Sequence, residues 1–182
     1  MLIAYTHGRY QPLHNGHFQM FLKILEKHDQ LWIGISNPSR KMPENIDSFD
    51  PMLKESVLRA RAPENNPFSY TERQEMIIMA FIREGIDISR IRILPHYGFY
   101  EEKNWEDFMP PKENSVIALS PKDPHHDAKI ERYKKGGWEV KIIPQFPGIS
   151  GSVFDKAWKD GNWRDLVPRG AKEIIEKNLT SY

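Results

Sequence analysis

No cysteine occurs anywhere in the 182-residue sequence. That removes disulfides, thiolate metal sites and cysteine nucleophiles, and it suits a reducing compartment. An excess of either charge is also lacking: Lys and Arg number 26 against 25 Asp and Glu, a formal net of +1. Bulk charge therefore offers no handle for nucleic acid, an anionic membrane or an acidic partner. Long apolar runs are missing too. The opening Met-Leu-Ile-Ala-Tyr-Thr-His turns polar by Thr6, too soon and without the basic flank of a secretory leader. No stretch nears the roughly 18 apolar residues that a bilayer span needs. The expectation is a cytoplasmic protein with no nucleic-acid and no membrane partner.

What is present is ordinary for a globular chain: 39% hydrophobic and 28% charged residues. The length suits one domain over residues 1–182. Short apolar runs at Leu2 to Tyr5, Leu31 to Ile35, Ile91 to Leu94, Val116 to Leu119 and Val140 to Ile143 suit strands buried on both faces of a parallel sheet. Helical patterns separate them. His17 to Lys27 aligns Phe18, Phe21, Leu22 and Leu25, and Thr71 to Glu84 aligns Met76, Ile77, Ala80 and Phe81. His125 to Lys135 ends at Gly136-Gly137, a helix stop. Such alternation predicts an α/β fold: a doubly wound, Rossmann-like, five-stranded parallel sheet with helices on both faces. Two segments break the rhythm. Residues 37–67 read as a polar insertion or lid holding a short helix, Pro51 to Arg61, and residues 96–114 read as a loop. Residues 150–182 read as a small C-terminal helical part, with helices at Ser152 to Lys159 and Ala171 to Asn178.

The first strand runs into Gly8-Arg9-Tyr10-Gln11-Pro12-Leu13-His14-Asn15-Gly16-His17, and a helix follows. Gly8 permits a sharp turn and Pro12 stiffens the loop. Gly16 offers a side-chain-free approach at a helix start, where orphan N–H groups and the dipole favour anions. His14 and His17, three apart, can point to one side there. Two imidazoles and Arg9 over a helix N-terminus make a phosphate site of the kind that phosphoryl chemistry needs. A metal pair is the weaker reading, because no carboxylate or third histidine accompanies them.

Gly8 to His17 resembles the signature of the nucleotidyltransferase superfamily with a His-x-Gly-His motif, most like the archaeal-type nicotinamide-nucleotide adenylyltransferases. Asn66-Pro67-Phe68-Ser69-Tyr70-Thr71-Glu72-Arg73-Gln74-Glu75-Met76, Ile149-Ser150-Gly151-Ser152 and Gly161-Asn162-Trp163-Arg164-Asp165-Leu166-Val167-Pro168 are similar to further segments of that family, in the same order. The resemblance implies that His14 and His17, with Arg9, are catalytic and stabilise the charge of the transition state. It assigns nucleotide binding to Gly8, Tyr10, Gln11 and Gly16, to Ser120, Lys122 and Asp123 after the fourth strand, and to Ile149, Ser150 and Ser152. It places Arg73, Trp105, Asn104 and Glu102 toward the acceptor.

The sequence departs from the family at two places. An arginine usually follows the Ser-x-Thr turn by three residues; here that residue is Asp155, with Lys156, Lys159 and Arg40 as the candidate replacement cations. Glu102 stands where relatives that use nicotinamide mononucleotide carry an asparagine three residues before a stacking tryptophan, with Asn104 adjacent to Trp105. Arg40, Lys41, Lys54, Arg59 and Arg61 of the insertion are candidate contacts for an acceptor phosphate. The expected reaction is adenylyl transfer from ATP, with Mg²⁺, to nicotinamide mononucleotide, giving NAD and pyrophosphate. The alternatives are cytidylyl or adenylyl transfer to another small phosphate or phosphonate, and a catalytically weak nucleotide-binding regulatory protein. Relatives often form homo-oligomers, so self-association is open as well.

Overall fold

The computed structural model describes residues 1–39, 41–42, 44, 46–49, 51–97, 105–120, 126–144, 149 and 151–179, apart from the side chains at 48, 52, 53, 56, 106 and 126. Five strands form one sheet: β1 (Ile3–Gly8), β2 (Gln30–Ser36), β3 (Ile91–His96), β4 (Ser115–Leu119) and β5 (Glu139–Ile142). Their order is β3-β2-β1-β4-β5, and every pairing is parallel. Ile3 lies beside Gln30 of β2 and Ser115 of β4, so β1 is central. The chain moves outward from β1 through β2 to β3, then crosses back to β4. The direction of winding therefore reverses between β1 and β4, and in open parallel sheets ligands bind beyond the carboxyl ends of the strands at such a point.

Side chains on β1 alternate between two apolar layers. Ala4 joins Leu31, Ile33 and Ile35 beneath α1 (Asn15–Leu25), α3 (Tyr70–Arg83), α6 (Gly151–Lys159) and α7 (Arg169–Leu179). Ile3 and Tyr5 join Trp32 and Ile117 beneath α4 (Trp105–Phe108) and α5 (His126–Lys135). The doubly wound parallel sheet expected from the apolar runs is what forms. The helix α2 (Pro51–Arg61) lies in the long segment after β2, with the bounds expected from sequence. None of the helices, searched over the described residues, is long and apolar enough to cross a membrane.

Element ends differ from the sequence reading for local reasons. β1 extends past Tyr5 to Gly8, because polar Thr6, His7 and Gly8 continue the ladder with Ile33, Gly34 and Ile35. α1 starts at Asn15, earlier than expected, because His14 caps it. The short α4 falls where a loop was expected; Met109 N–H donating to the Trp105 carbonyl at 2.8 Å closes its single turn.

α7 packs on α3 through a missing side chain. A Cβ on Gly170 would land on the Met79 backbone carbonyl, so only glycine permits this approach. The Arg83 guanidinium, donating to Glu173 at 2.8 Å, ties the same two helices. Gly170→Ala is expected to lower stability by roughly 1–3 kcal/mol through overpacking, read as a lower urea midpoint. An unchanged midpoint would contradict this packing.

Candidate active site

The loop from β1 to α1 is held from below by backbone-mimicking contacts. Tyr10 has a positive φ of 50° and is 1% exposed, its ring lying against Gly8 where any Cβ would meet it at 2.9 Å. Gly8 is thus required by close approach rather than by its own dihedrals. Gln11 donates to the Phe68 carbonyl at 2.8 Å and accepts from the Phe68 N–H at 3.0 Å, as a strand partner would. Arg73 is 2% exposed. Its guanidinium donates to the carbonyls of Arg9 at 2.8 Å, Ser36 at 2.7 Å, Asn37 at 2.8 Å and Ser69 at 3.1 Å. The Asn66-Pro67-Phe68 segment and Arg73 therefore clamp the loop to the end of β2. The expectation placed Arg73 toward the acceptor; the structure places it beneath the loop, bonded to backbone.

On that base, His14 and His17 form a reciprocal cap at the start of α1. His14 Nδ1 accepts from the His17 N–H at 3.3 Å, and His17 Nδ1 accepts from the His14 N–H at 3.5 Å. The rings stack at 3.6 Å with a 16° tilt. A nitrogen that accepts carries no proton, so each neutral imidazole bears its hydrogen on Nε2. The cap thereby places two stacked imidazoles, each protonated on Nε2, at a helix N-terminus, a setting that suits an anion. Tyr10 meets His17 edge-on at 5.0 Å and helps to fix its ring. Gly16 touches the loop before α6: a Cβ there would lie 2.8 Å from the Ile149 carbonyl oxygen. Asn15 donates to the Asp165 carbonyl at 2.9 Å, anchoring the C-terminal segment beside the same helix start.

The charged rim follows from neighbouring elements. Desolvation lowers the Arg9 pKa, the Asp155 carboxylate on α6 opposes that, and the Arg59 charge adds to it. Asp155 thus acts electrostatically on a cation of the loop. Lys54 pairs with Asp47 at 2.6 Å, and Arg61 donates to the Lys41 carbonyl, so these two insertion cations are engaged within their own segment. Ser152 is exposed in the first turn of α6, and Ser120 directly follows β4. Arg40, Glu102, Asn104, Lys122, Asp123 and Ser150 lie outside the described residues.

The cytidylyltransferase-like family model matches residues 5–104, which spans β1, the histidine loop, α1, β2, α3 and β3. This chain belongs to the cytidylyltransferase-like family. Among its relatives, phosphonoformate cytidylyltransferase of Streptomyces viridochromogenes is 26% identical, over 94% of this chain and 89% of that protein. Nicotinamide-nucleotide adenylyltransferase of Saccharolobus solfataricus is 28% identical, over 92% and 86% respectively. A crystal structure of a bifunctional NMN adenylyltransferase/ADP ribose pyrophosphatase from Francisella tularensis superimposes with a TM-score of 0.68 at 20% identity. The match covers 98% of this chain but only 50% of that longer one. This member of the cytidylyltransferase-like family is a nucleotidyltransferase enzyme.

In this cytidylyltransferase-like chain Trp105 is anchored in the core. It is 6% exposed, stacks on Tyr133 at 5.0 Å, meets Trp138 edge-on at 6.0 Å, and donates through Nε1 to the Tyr97 carbonyl at 3.1 Å. It belongs to the apolar layer under α4 and α5.

A polar group on that layer was missed from sequence. His7, on the same face as Tyr5, stacks on His96 of β3 at 3.9 Å. Tyr5 Oη and His96 Nδ1 share a hydrogen bond of 2.8 Å, crossing β2 at Gly34, where any Cβ would collide with the tyrosine hydroxyl. Extending β1 by its period of two would have placed His7 beside Tyr5. Burial, with the Lys129 charge beside it, holds the His7 imidazole at about 3, and burial also pushes His96 well below the usual range.

These depressed values fix a pH dependence. The folded pKa lies below the unfolded value of about 6.5, so the unfolded chain binds the extra proton. Stability from His7 is fully present above about 6.5 and is lost as pH falls toward 3. Between pH 6.5 and 5, before carboxylates titrate, unfolding free energy is expected to drop by on the order of 1–2 kcal/mol. Urea midpoints across that window check it; a flat profile would show that both imidazoles charge freely in the fold.

Proposed function

We propose that this enzyme transfers a nucleotidyl group from ATP or CTP to a small phosphate- or phosphonate-bearing acceptor. One observation carries the reading: the stacked, mutually capped imidazoles of His14 and His17 present Nε2–H donors at the N-terminus of α1. An acceptor oxygen attacks the α-phosphorus in line, the bond to the bridging oxygen breaks, and pyrophosphate leaves with that electron pair. The attacking phosphate or phosphonate is already ionised near neutral pH, so no protein base is required. His14 and His17 would neutralise charge on the triphosphate, and Arg9 would close on its phosphate oxygens. The start of α6, with Ile149, Ser150 and Ser152, and the segment after β4, with Ser120, Lys122 and Asp123, would complete the nucleotide side. Mg²⁺ would ride on the triphosphate oxygens beside His14, His17 and Arg9. Bound there, it would supply charge neutralisation.

Nicotinamide mononucleotide is one acceptor reading, supported by the adenylyltransferase relative. A compact acceptor is the second, and the setting of Trp105 favours it: a 6% exposed indole already stacked on Tyr133 has little face left for a nicotinamide ring. The phosphonoformate cytidylyltransferase relative supports that reading too.

His17→Ala is expected to lower kcat by about 10² or more, as for loss of one charge-stabilising donor. Pyrophosphate release with ATP or CTP, Mg²⁺ and a panel of acceptors is the measurement. A variant at full rate would contradict the assigned role.

A further inference from the structure

The nucleotide reading uses the α1 side of the sheet and leaves the opposite side of the same crevice unassigned. His7 sits there. It is the residue before Gly8, at the carboxyl end of the central strand and next to the point where the winding reverses. Its Nε2 is occluded from solvent yet has no hydrogen-bond partner. A buried polar atom left unsatisfied costs stability, and such atoms call for an explanation. Packing alone does not provide one, since a leucine would fill the place without that cost.

The surroundings hold this imidazole rather than satisfy it. His96 stacks on one face at 3.9 Å, and Tyr133 approaches at 5.8 Å with a 56° tilt. His96 is itself fixed by the Tyr5 hydroxyl, and Gly34 keeps the path between those two open. The chain thus builds a relay from β3 across β2 to β1 whose last atom, His7 Nε2, has nothing to bond.

We propose that His7, positioned by His96 and Tyr5, is the hydrogen-bonding wall of the acceptor subsite, and that it selects a compact, oxygen-rich, non-aromatic phosphate or phosphonate. The inference rests on the nucleotidyl-transfer reading and deepens it. The triphosphate belongs to the donors of α1, on one face of the sheet; His7 projects from the other face of β1, where the second substrate must lie for in-line attack. Both imidazoles are held neutral by burial, so the wall offers a directional hydrogen bond to a carbonyl, hydroxyl or carboxylate oxygen rather than a second cation. With Trp105 already stacked on Tyr133, a planar ring gains little here, whereas an oxygen-bearing carbon chain of a few atoms pairs with Nε2.

The test uses the whole chain loaded with α,β-methylene-ATP or α,β-methylene-CTP and then titrated with phosphonoformate, glycerol 3-phosphate or nicotinamide mononucleotide. Imidazole ¹⁵N resonances and isothermal titration are the readouts. The His7 Nε2 resonance is expected to move with at least one of the two compact probes, while exposed-side His28 does not respond. His7→Leu is expected to weaken that probe at least tenfold and leave the affinity for the methylene nucleotide unchanged; His7→Gln, which keeps a polar tip, recovers part of it. Tyr5→Phe, which releases His96 but leaves His7 in place, gives a smaller loss of the same kind. Equal weakening of nucleotide and probe by His7→Leu, or a His7 resonance unmoved by every probe at saturation, overturns the proposal while leaving nucleotidyl transfer standing. A response to nicotinamide mononucleotide alone overturns the selectivity claimed. Failure of wild-type protein to bind either methylene nucleotide sinks the underlying reading and this inference together.

Discussion

His14 accepts the His17 amide hydrogen through Nδ1, and His17 accepts the His14 amide hydrogen in return. This pair of contacts does two things at once. It satisfies orphan donors at the helix start, as any N-cap must. It also sets the tautomer of both rings, with the hydrogen on Nε2. A serine cap would meet the first need and not the second. The remainder of the loop serves this arrangement: Gly8 makes room for Tyr10, Tyr10 braces His17, and Gly16 lets the segment before α6 come within reach.

The clamp beneath is equally specific. Arg73 is a buried cation whose guanidinium donates to backbone carbonyls of the histidine loop, the end of β2 and the start of α3. Carbonyl dipoles and a delocalised guanidinium suit one another, since Arg offers five donors in a fixed plane. Gln11 adds a second tie to Phe68. A segment far away in sequence thereby positions the loop, and a change there would act on the site without touching substrate. The two layers of the fold then divide the work: the α1 and α6 side carries the charged residues and the histidine cap, whereas the α4 and α5 side is aromatic, with His7 and His96 among its polar members.

Much of the fold was legible because the strands are buried on both faces. Leu31 to Ile35 and Val116 to Leu119 read as continuous apolar runs, and the helices between them carried a clear period. The histidine loop was legible because glycine, proline and paired histidines mark a strand-to-helix turn. What sequence could not convey was where a long side chain goes. Arg73 looked like a helix residue that either pairs with Glu72, Glu75 or another helix or reaches the acceptor, and only the tertiary fold turns it onto the loop backbone. Trp105 looked like a loop anchor or a ring platform, and the choice depended on Tyr133 and Trp138, which come from distant segments. His7 was passed over because Thr6, His7 and Gly8 are polar, and a polar tail hides the continuation of a strand whose ladder is backbone.

The central claim is that the two imidazoles over the start of α1 receive the triphosphate. A crystal structure of the protein with α,β-methylene-ATP and Mg²⁺, repeated with the CTP analogue, tests it most directly. Phosphate oxygens are expected within hydrogen-bonding distance of Nε2 of both His14 and His17, with the His14–His17 stack unchanged. A nucleotide bound elsewhere, or a triphosphate that passes these nitrogens by, would contradict it.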